Sequence, residues 1–155
     1  MLMVVCLRYV KDESNAKDVL QETLIRIFRS IGKYEATGSF EGWMRKIAVR
    51  CSLQWLEENK ARREISVVDI NLDENIESEE LDTLTLEQIT KLIEELPEGY
   101  QTVFNLNVVE GYDHKEIAEL LNITESSSRS QLVRARRLLQ KKIKSFNSTK
   151  RSRIL

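Results

Sequence analysis

From Ser126 to Leu155 the chain carries ten Lys/Arg and no Asp or Glu. Inside that block Ser126, Arg129, Ser130, Val133, Arg134 and Arg137 fall at i, i+3, i+4, i+7, i+8 and i+11, the spacing that gathers residues on one face of a helix. The chemistry of that face suits a major groove. An Arg guanidinium pairs with a guanine edge in a bidentate way, a Ser hydroxyl contacts a base or a phosphate, and Val touches a thymine methyl. Ser128, Leu132, Ala135 and Leu139, at steps of four, three and four, form a second face suited to packing. A basic helix is also often only a solvated surface, and the residues N-terminal to it decide between the two.

Asp113 can cap a helix start, and Glu116 three residues later completes a capping-box pattern. Ile117, Ala118, Leu120 and Leu121 come next as an apolar stripe, with Ala118 small where a second helix must cross closely. Asn122 tolerates a left-handed backbone and can end that helix sharply. Ile123 returns to the core, Thr124 can cap the next helix, and Glu125 suits the positive end of its dipole. Residues 113–144 therefore read as a helix-turn-helix whose second helix reads duplex DNA.

Other polar groups say less by themselves. Asp18, Gln21 and Glu22 stand at i, i+3 and i+4 and form one helical patch, which spacing alone assigns to a solvated surface. Arg45, Lys46 and Arg50 lie away from an apolar face and read the same way. His114, the one histidine, sits at a helix start and reads as a surface residue beside the cap. No Cys/His pair, Gly-rich phosphate loop or metal-ligand spacing is present, which argues against an enzyme and implies no metal or cofactor. Cys6 and Cys51 lie in apolar-patterned stretches and read as reduced core residues of a cytoplasmic protein. No apolar run approaches the roughly 20 residues a bilayer requires, and the start lacks the basic region and cleavage site of a signal peptide.

The net charge of −1 hides a strong asymmetry. Residues 1–64 hold 12 Lys/Arg against 9 Asp/Glu, 65–97 hold 1 against 10, and 98–155 hold 11 against 6. Two basic modules thus flank an acidic connector, and the basic ends carry the phosphate-binding potential.

The elements that must position these residues read as all-α. A helix end covers residues 1–11. A helical stripe over 15–31 takes in Ala16, Val19, Leu20, Leu24, Ile27, Phe28 and Ile31, with Gly32 at the stop. KYEATGS reads as a loop. A long helix from Phe40 to Ala61 places Phe40, Trp43, Met44, Ile47, Ala48 and Cys51 on one face. The acidic stretch has no helical stripe and reads as a linker. A helix covers 82–95, and Pro97 fits the first turn of another that runs to Val109, before Glu110-Gly111-Tyr112 turns into the helix-turn-helix. The resulting division is a first domain over 1–64, a linker over 65–81, a second domain over 82–147 and a basic tail over 148–155.

Taken in order, NAKDVLQETLIRIFRSI, FEGWMRKIAVRCSLQWL and LPEGYQTVFNLNVVEGYDHKEIAELLNITESSSRSQLVRARRLLQ resemble a bacterial RNA polymerase sigma factor of the extracytoplasmic-function group. The resemblance spans about Cys6 to Ile143 apart from the acidic stretch, and the upstream DVLQE and F-x-x-W segments separate it from other helix-turn-helix regulators. It implies two helical domains, regions 2 and 4 of the family, joined by a flexible linker. Asp18, Gln21 and Glu22 match the motif that docks on the clamp helices of the polymerase largest subunit. Phe40, Trp43, Arg45 and Lys46, with Arg50 close by, lie where the family engages the minus-10 element and supports strand opening, although core packing is the better reading for Trp43. Arg129, Ser130, Val133 and Arg134 match positions that read the minus-35 element, with Ser126 and Arg137 on the same face.

Arg50 stands where many members have Asn, and Val133 where some have an aromatic, so the resemblance assigns no promoter sequence. The family usually carries more of a first helix before Met3. The implied partners are core RNA polymerase, promoter DNA and an anti-sigma factor, often a membrane protein, with no small-molecule substrate. The competing reading is a stand-alone helix-turn-helix regulator that binds operator DNA as a dimer. It leaves Asp18, Gln21 and Glu22 without a use.

Overall fold

The computed structural model describes residues 1–60 and 84–152, and all regular structure among them is helical. The chain divides into two compact units, Met1–Glu64 and Ile65–Leu155. The segment read as an acidic linker, 65–81, lies outside the described residues.

In the first unit α1 (Leu2–Val10), α2 (Glu13–Ser30) and α3 (Phe40–Asn59) pack against one another in all three pairings. Lys11 adopts a left-handed conformation (φ 65°) and its N–H donates to the Leu7 carbonyl, which ends α1 at once. Asp12 then caps α2, with Oδ1 accepting the Asn15 N–H at 2.9 Å. Two residues thus suffice to pass from one helix to the next. A single 3-10 turn, Ile31–Lys33, comes after α2, and Ser39 caps α3. The core joins Cys6, Val10, Ala16, Val19 and Cys51, with Leu20, Ile47 and Trp55 packed against it. Both cysteines are free and buried, as their apolar surroundings suggested, and burial pushes the Cys6 thiol above its ordinary pKa. Thr23 and Ser52 are also fully buried. Each hydroxyl donates to a carbonyl one turn back in its own helix, Thr23 to Val19 at 2.7 Å and Ser52 to Ala48 at 2.8 Å. That bond removes the cost of burying a polar atom and lets a small residue sit at a helix crossing.

The second unit holds α4 (Leu86–Glu94), α5 (Glu98–Phe104), a π-helical segment (Asn105–Val109), α6 (His114–Leu121) and α7 (Glu125–Ser152). A capping box between Thr85 and Gln88 starts α4. Pro97 serves as the N-cap of α5 and not as a first-turn residue, and its carbonyl accepts the Gln101 N–H at 2.9 Å. The helix expected to reach Val109 widens at Asn105, where the Glu110 N–H bonds the Asn105 carbonyl at 3.0 Å. The extra residue in that turn shifts the helical register, so Leu106 stays buried while Val108 and Val109 face outward. Leu92, Leu96, Ala135, Leu139 and Ile143 form the core between α4 and α7, and Lys142 on α7 pairs with Glu95 beyond the end of α4 at 2.5 Å. The last helix continues to Ser152, into the stretch read as a tail. No helix among the described residues is long and apolar enough to cross a membrane.

Candidate nucleic-acid interface

The path into the helix-turn-helix is tied at each step. Gly111 takes φ +81°, a conformation that strains any other L-residue, and Asn107 Nδ2 donates across that turn to the Tyr112 carbonyl at 2.9 Å. Asp113 Oδ1 accepts the Glu116 N–H at 2.8 Å, and Glu116 Oε2 accepts the Asp113 N–H at 3.0 Å, so the capping box closes in both directions. Asn122 ends α6 in the left-handed region (φ 51°, ψ 48°). Thr124 Oγ1 then caps α7 by accepting the Ser127 N–H at 3.0 Å.

The two faces of α7 separate as the spacing predicted. Ser128, Leu132, Ala135 and Leu139 are buried, while Ser126, Arg129, Ser130, Val133, Arg134 and Arg137 are exposed together. Two of the arginines are held within the molecule. Arg129 pairs with Glu125 one turn earlier, and Arg134 Nη1 donates to the Tyr100 hydroxyl on α5 at 3.4 Å. Both contacts are exposed and cheap to exchange for a phosphate or a base. Tyr100 carries no motif that would have marked it in the sequence.

On α2, Asp18, Gln21 and Glu22 are all exposed. Arg26 Nε donates to Glu22 at 2.6 Å and Arg26 Nη2 to Gln54 on α3 at 2.8 Å. The Glu22 carboxylate raises the Arg26 pKa, and the pair fixes one edge of the patch to the neighbouring helix. The structure corrects the apolar stripe expected over 15–31. Ala16, Val19, Thr23 and Ile27 are buried, but Leu24, Ile25, Phe28 and Ile31 are exposed, Phe28 at 74%. At about 100° per residue, Leu24, Phe28 and Ile31 fall to one side of the line through Ala16, Thr23 and Ile27. Thr23, which a hydrophobic count passes over, takes the core place because its hydroxyl is satisfied within the helix. The exposed apolar side chains adjoin Gln21 and extend the polar patch.

Trp43 departs from its expected core place as well. The buried residues of α3 are Ala48, Val49, Cys51, Ser52, Leu53 and Leu56, and Trp43 stands one turn before Ile47 and two before Cys51, past the end of that buried stretch. It is half-buried, stacks on exposed Phe40 with centroids 5.6 Å apart, and meets Tyr34 at a tilt with centroids 5.3 Å apart. Tyr34 meets Phe40 edge-on at 5.2 Å, and its hydroxyl donates to the Gly38 carbonyl. Tyr34 and Trp43 of this cluster line a cavity of about 430 Å³ together with Lys33, Glu35, Thr37, Ser39, Gly42 and Lys46. Arg50 is exposed on the same side, one turn beyond Lys46. Arg45 is not brought to this group, being half-buried toward the side that carries Ser52 and Leu56. Neither Tyr34 nor Lys33 was singled out by sequence, because a loop residue gives no periodic signal. No group of three or more potential metal ligands occurs among the described residues.

Comparison with known proteins matches both units. Residues 1–62 match the family described as Sigma-70 region 2, and residues 86–139 match Sigma-70, region 4. The chain is 29% identical over 148 residues to the ECF RNA polymerase sigma-E factor of Haemophilus influenzae, covering 88% of this chain and 78% of that protein. It is 28% identical over 146 residues to the RNA polymerase sigma-H factor of Pseudomonas aeruginosa, covering 86% and 76%. In fold it is similar to the sigma factor RpoE from Bartonella quintana, solved in complex with the anti-sigma factor NepR, with a TM-score of 0.60 and 19% identity over 92% of this chain and 89% of that one. The exposed face of α2, the aromatic cluster at the start of α3 and the helix-turn-helix thus sit in domains matched separately and in the same order, and the chain belongs to the sigma-70 family as a member of the extracytoplasmic-function group.

Proposed function

We propose that this chain is an alternative sigma factor that binds core RNA polymerase through α2, engages the minus-10 element at the start of α3 and reads the minus-35 element with α7. The observation that carries the reading is the exposed face of α2 in the same chain as a complete helix-turn-helix. Asp18, Gln21 and Glu22 offer acceptors and an amide donor to a polar partner surface. Leu24, Ile25 and Phe28 add the apolar area that a stable interface buries at its centre. A stand-alone DNA regulator has no use for either.

At the minus-10 element the cluster of Tyr34, Phe40 and Trp43 offers aromatic faces for an unpaired base, with Lys33, Lys46 and Arg50 near enough to hold the adjoining backbone. Duplex DNA keeps its bases stacked, so this site favours opened strands. At the minus-35 element Arg129, Ser130, Val133 and Arg134 present base-reading groups, and Ser126 and Arg137 flank them. Either unit alone would bind weakly. Tethering both through one polymerase makes the second contact intramolecular. The chain's role is binding and positioning in the cytoplasm, without a catalytic step of its own, and an anti-sigma factor is the partner that would hold it inactive.

The test is a pull-down with bacterial core RNA polymerase, comparing wild type with a folded Asp18→Ala/Gln21→Ala/Glu22→Ala variant. Capture of wild type and loss in the variant is expected. Failure of folded wild type to bind, together with tight binding to duplex DNA alone, would replace this reading with the stand-alone regulator.

A further inference from the structure

We infer that His114 is a positioning residue for minus-35 reading, acting through Ser128 to set the rotation of α7. The inference rests on the reading of α7 as the minus-35 helix. Ser128 is 0% exposed and is the one polar residue in the buried seam formed with Leu132, Ala135, Leu139 and Ile143. The partner of its hydroxyl is the His114 imidazole, whose Nδ1 lies 2.9 Å from Ser128 Oγ across 14 residues of chain. His114 itself is half-buried, not the free surface residue its place beside a cap suggested.

The anchor for this bond is rigid. His114 is the first residue of α6, directly after Asp113, whose backbone and side chain are both fixed by the box with Glu116. The residue before that, Tyr112, is buried and held by the Asn107 amide. Apolar packing between α6 and α7, which bury Ile117 and Leu132 respectively, is non-directional and tolerates small rotations. A hydrogen bond to one hydroxyl does not, because it weakens steeply with distance and angle. Ser128 precedes Arg129 and Ser130 directly and lies about a turn and a half before Val133 and Arg134. A rotation of α7 by about 10° would carry its side-chain tips by roughly 1 Å at a radius of 5–6 Å. Recognition sites must be held to about 0.5 Å, so the bond between the two helices governs where the reading groups land.

The test is a holoenzyme assembled from bacterial core RNA polymerase and each variant, used to select DNA from a library randomised at both promoter elements. Enrichment at the minus-10 element is the internal control. His114→Leu should flatten minus-35 enrichment about fivefold, the scale of one net hydrogen bond, and leave minus-10 enrichment unchanged. His114→Asn places an amide where Nδ1 stands and should restore it. In a Ser128→Ala background His114→Leu should have no further effect, since the partner is already gone. Full minus-35 enrichment in His114→Leu, additive losses in the double variant, or an equal fall at both elements would each overturn the inference. Arg134→Ala is run alongside. If it also leaves the minus-35 element untouched, the reading of α7 fails and takes the inference with it. If it flattens the element while His114→Leu does not, only the positioning role is lost.

Discussion

The two regions proposed to meet DNA are built for different physical problems. The exposed face of α7 is cationic and polar, built on one helix that runs from Glu125 to Ser152. The site at the start of α3 is aromatic and concave, assembled from Tyr34 in a loop and Phe40 and Trp43 on the helix. The first matches a closed duplex, whose outside is phosphate and base edge. The second matches an opened strand, whose newly available surface is the flat face of a base. A factor with only the first would bind promoters without opening them, and one with only the second would have nothing to hold until the strands had parted.

That contrast can be broken experimentally. Its largest consequence is in salt. If α7 neutralises three phosphates, its affinity for duplex DNA should fall roughly forty-fold as salt rises from about 50 to 200 mM. Binding of a single-stranded minus-10 oligonucleotide to the aromatic site should fall far less over the same range. Parallel titrations by fluorescence anisotropy check this, and equal slopes would mean that both sites bind chiefly through phosphate.

A smaller effect sharpens the division residue by residue. In the promoter-library selection, Trp43→Ala should weaken minus-10 enrichment about tenfold, the scale of one lost stack, and spare the minus-35 element. Arg134→Ala should do the reverse by a similar factor, while polymerase capture stays intact in both. A loss at both elements from either change would show that the units do not act separately.

The smallest expected effect concerns stability and not recognition. Burial raises the Cys6 pKa, so the folded protein keeps that proton at a pH where the unfolded chain releases it. The associated stability is fully present below the unfolded thiol value and is lost as pH rises from there through the folded value. Urea midpoints at pH 7.5 and 9.5 should therefore differ more for wild type than for Cys6→Ala, although the variant is weaker at both. An unchanged difference would assign the alkaline loss to other groups.

The helix-turn-helix was legible almost residue by residue because its rules are local. Asp113 with Glu116, Asn122 and Thr124 act over three or four residues, and each does in the structure what its type and spacing predicted. The first unit was legible in its helices but not in its faces. Which side of α2 is covered depends on where α1 and α3 lie, and the choice of Thr23 over Leu24 for the core comes from that packing. Trp43 shows the same limit. Its spacing continues the Ile47–Cys51 row toward the helix start, and only the fold of the preceding loop, which brings Tyr34 against it, decides that it packs with Tyr34 and Phe40 outside the core.

By itself, then, the order of residues determined the all-α class, the caps of the helix-turn-helix, the charge asymmetry and the basic face of α7, since backbone capping and side-chain period act within a few residues. Tertiary structure alone decided that Phe28 is left uncovered, that Tyr34 packs with Phe40 and Trp43, and that His114 reaches Ser128. Each of those depends on how helices rotate against one another, which is set by the summed packing of many side chains and not by any short pattern within one of them.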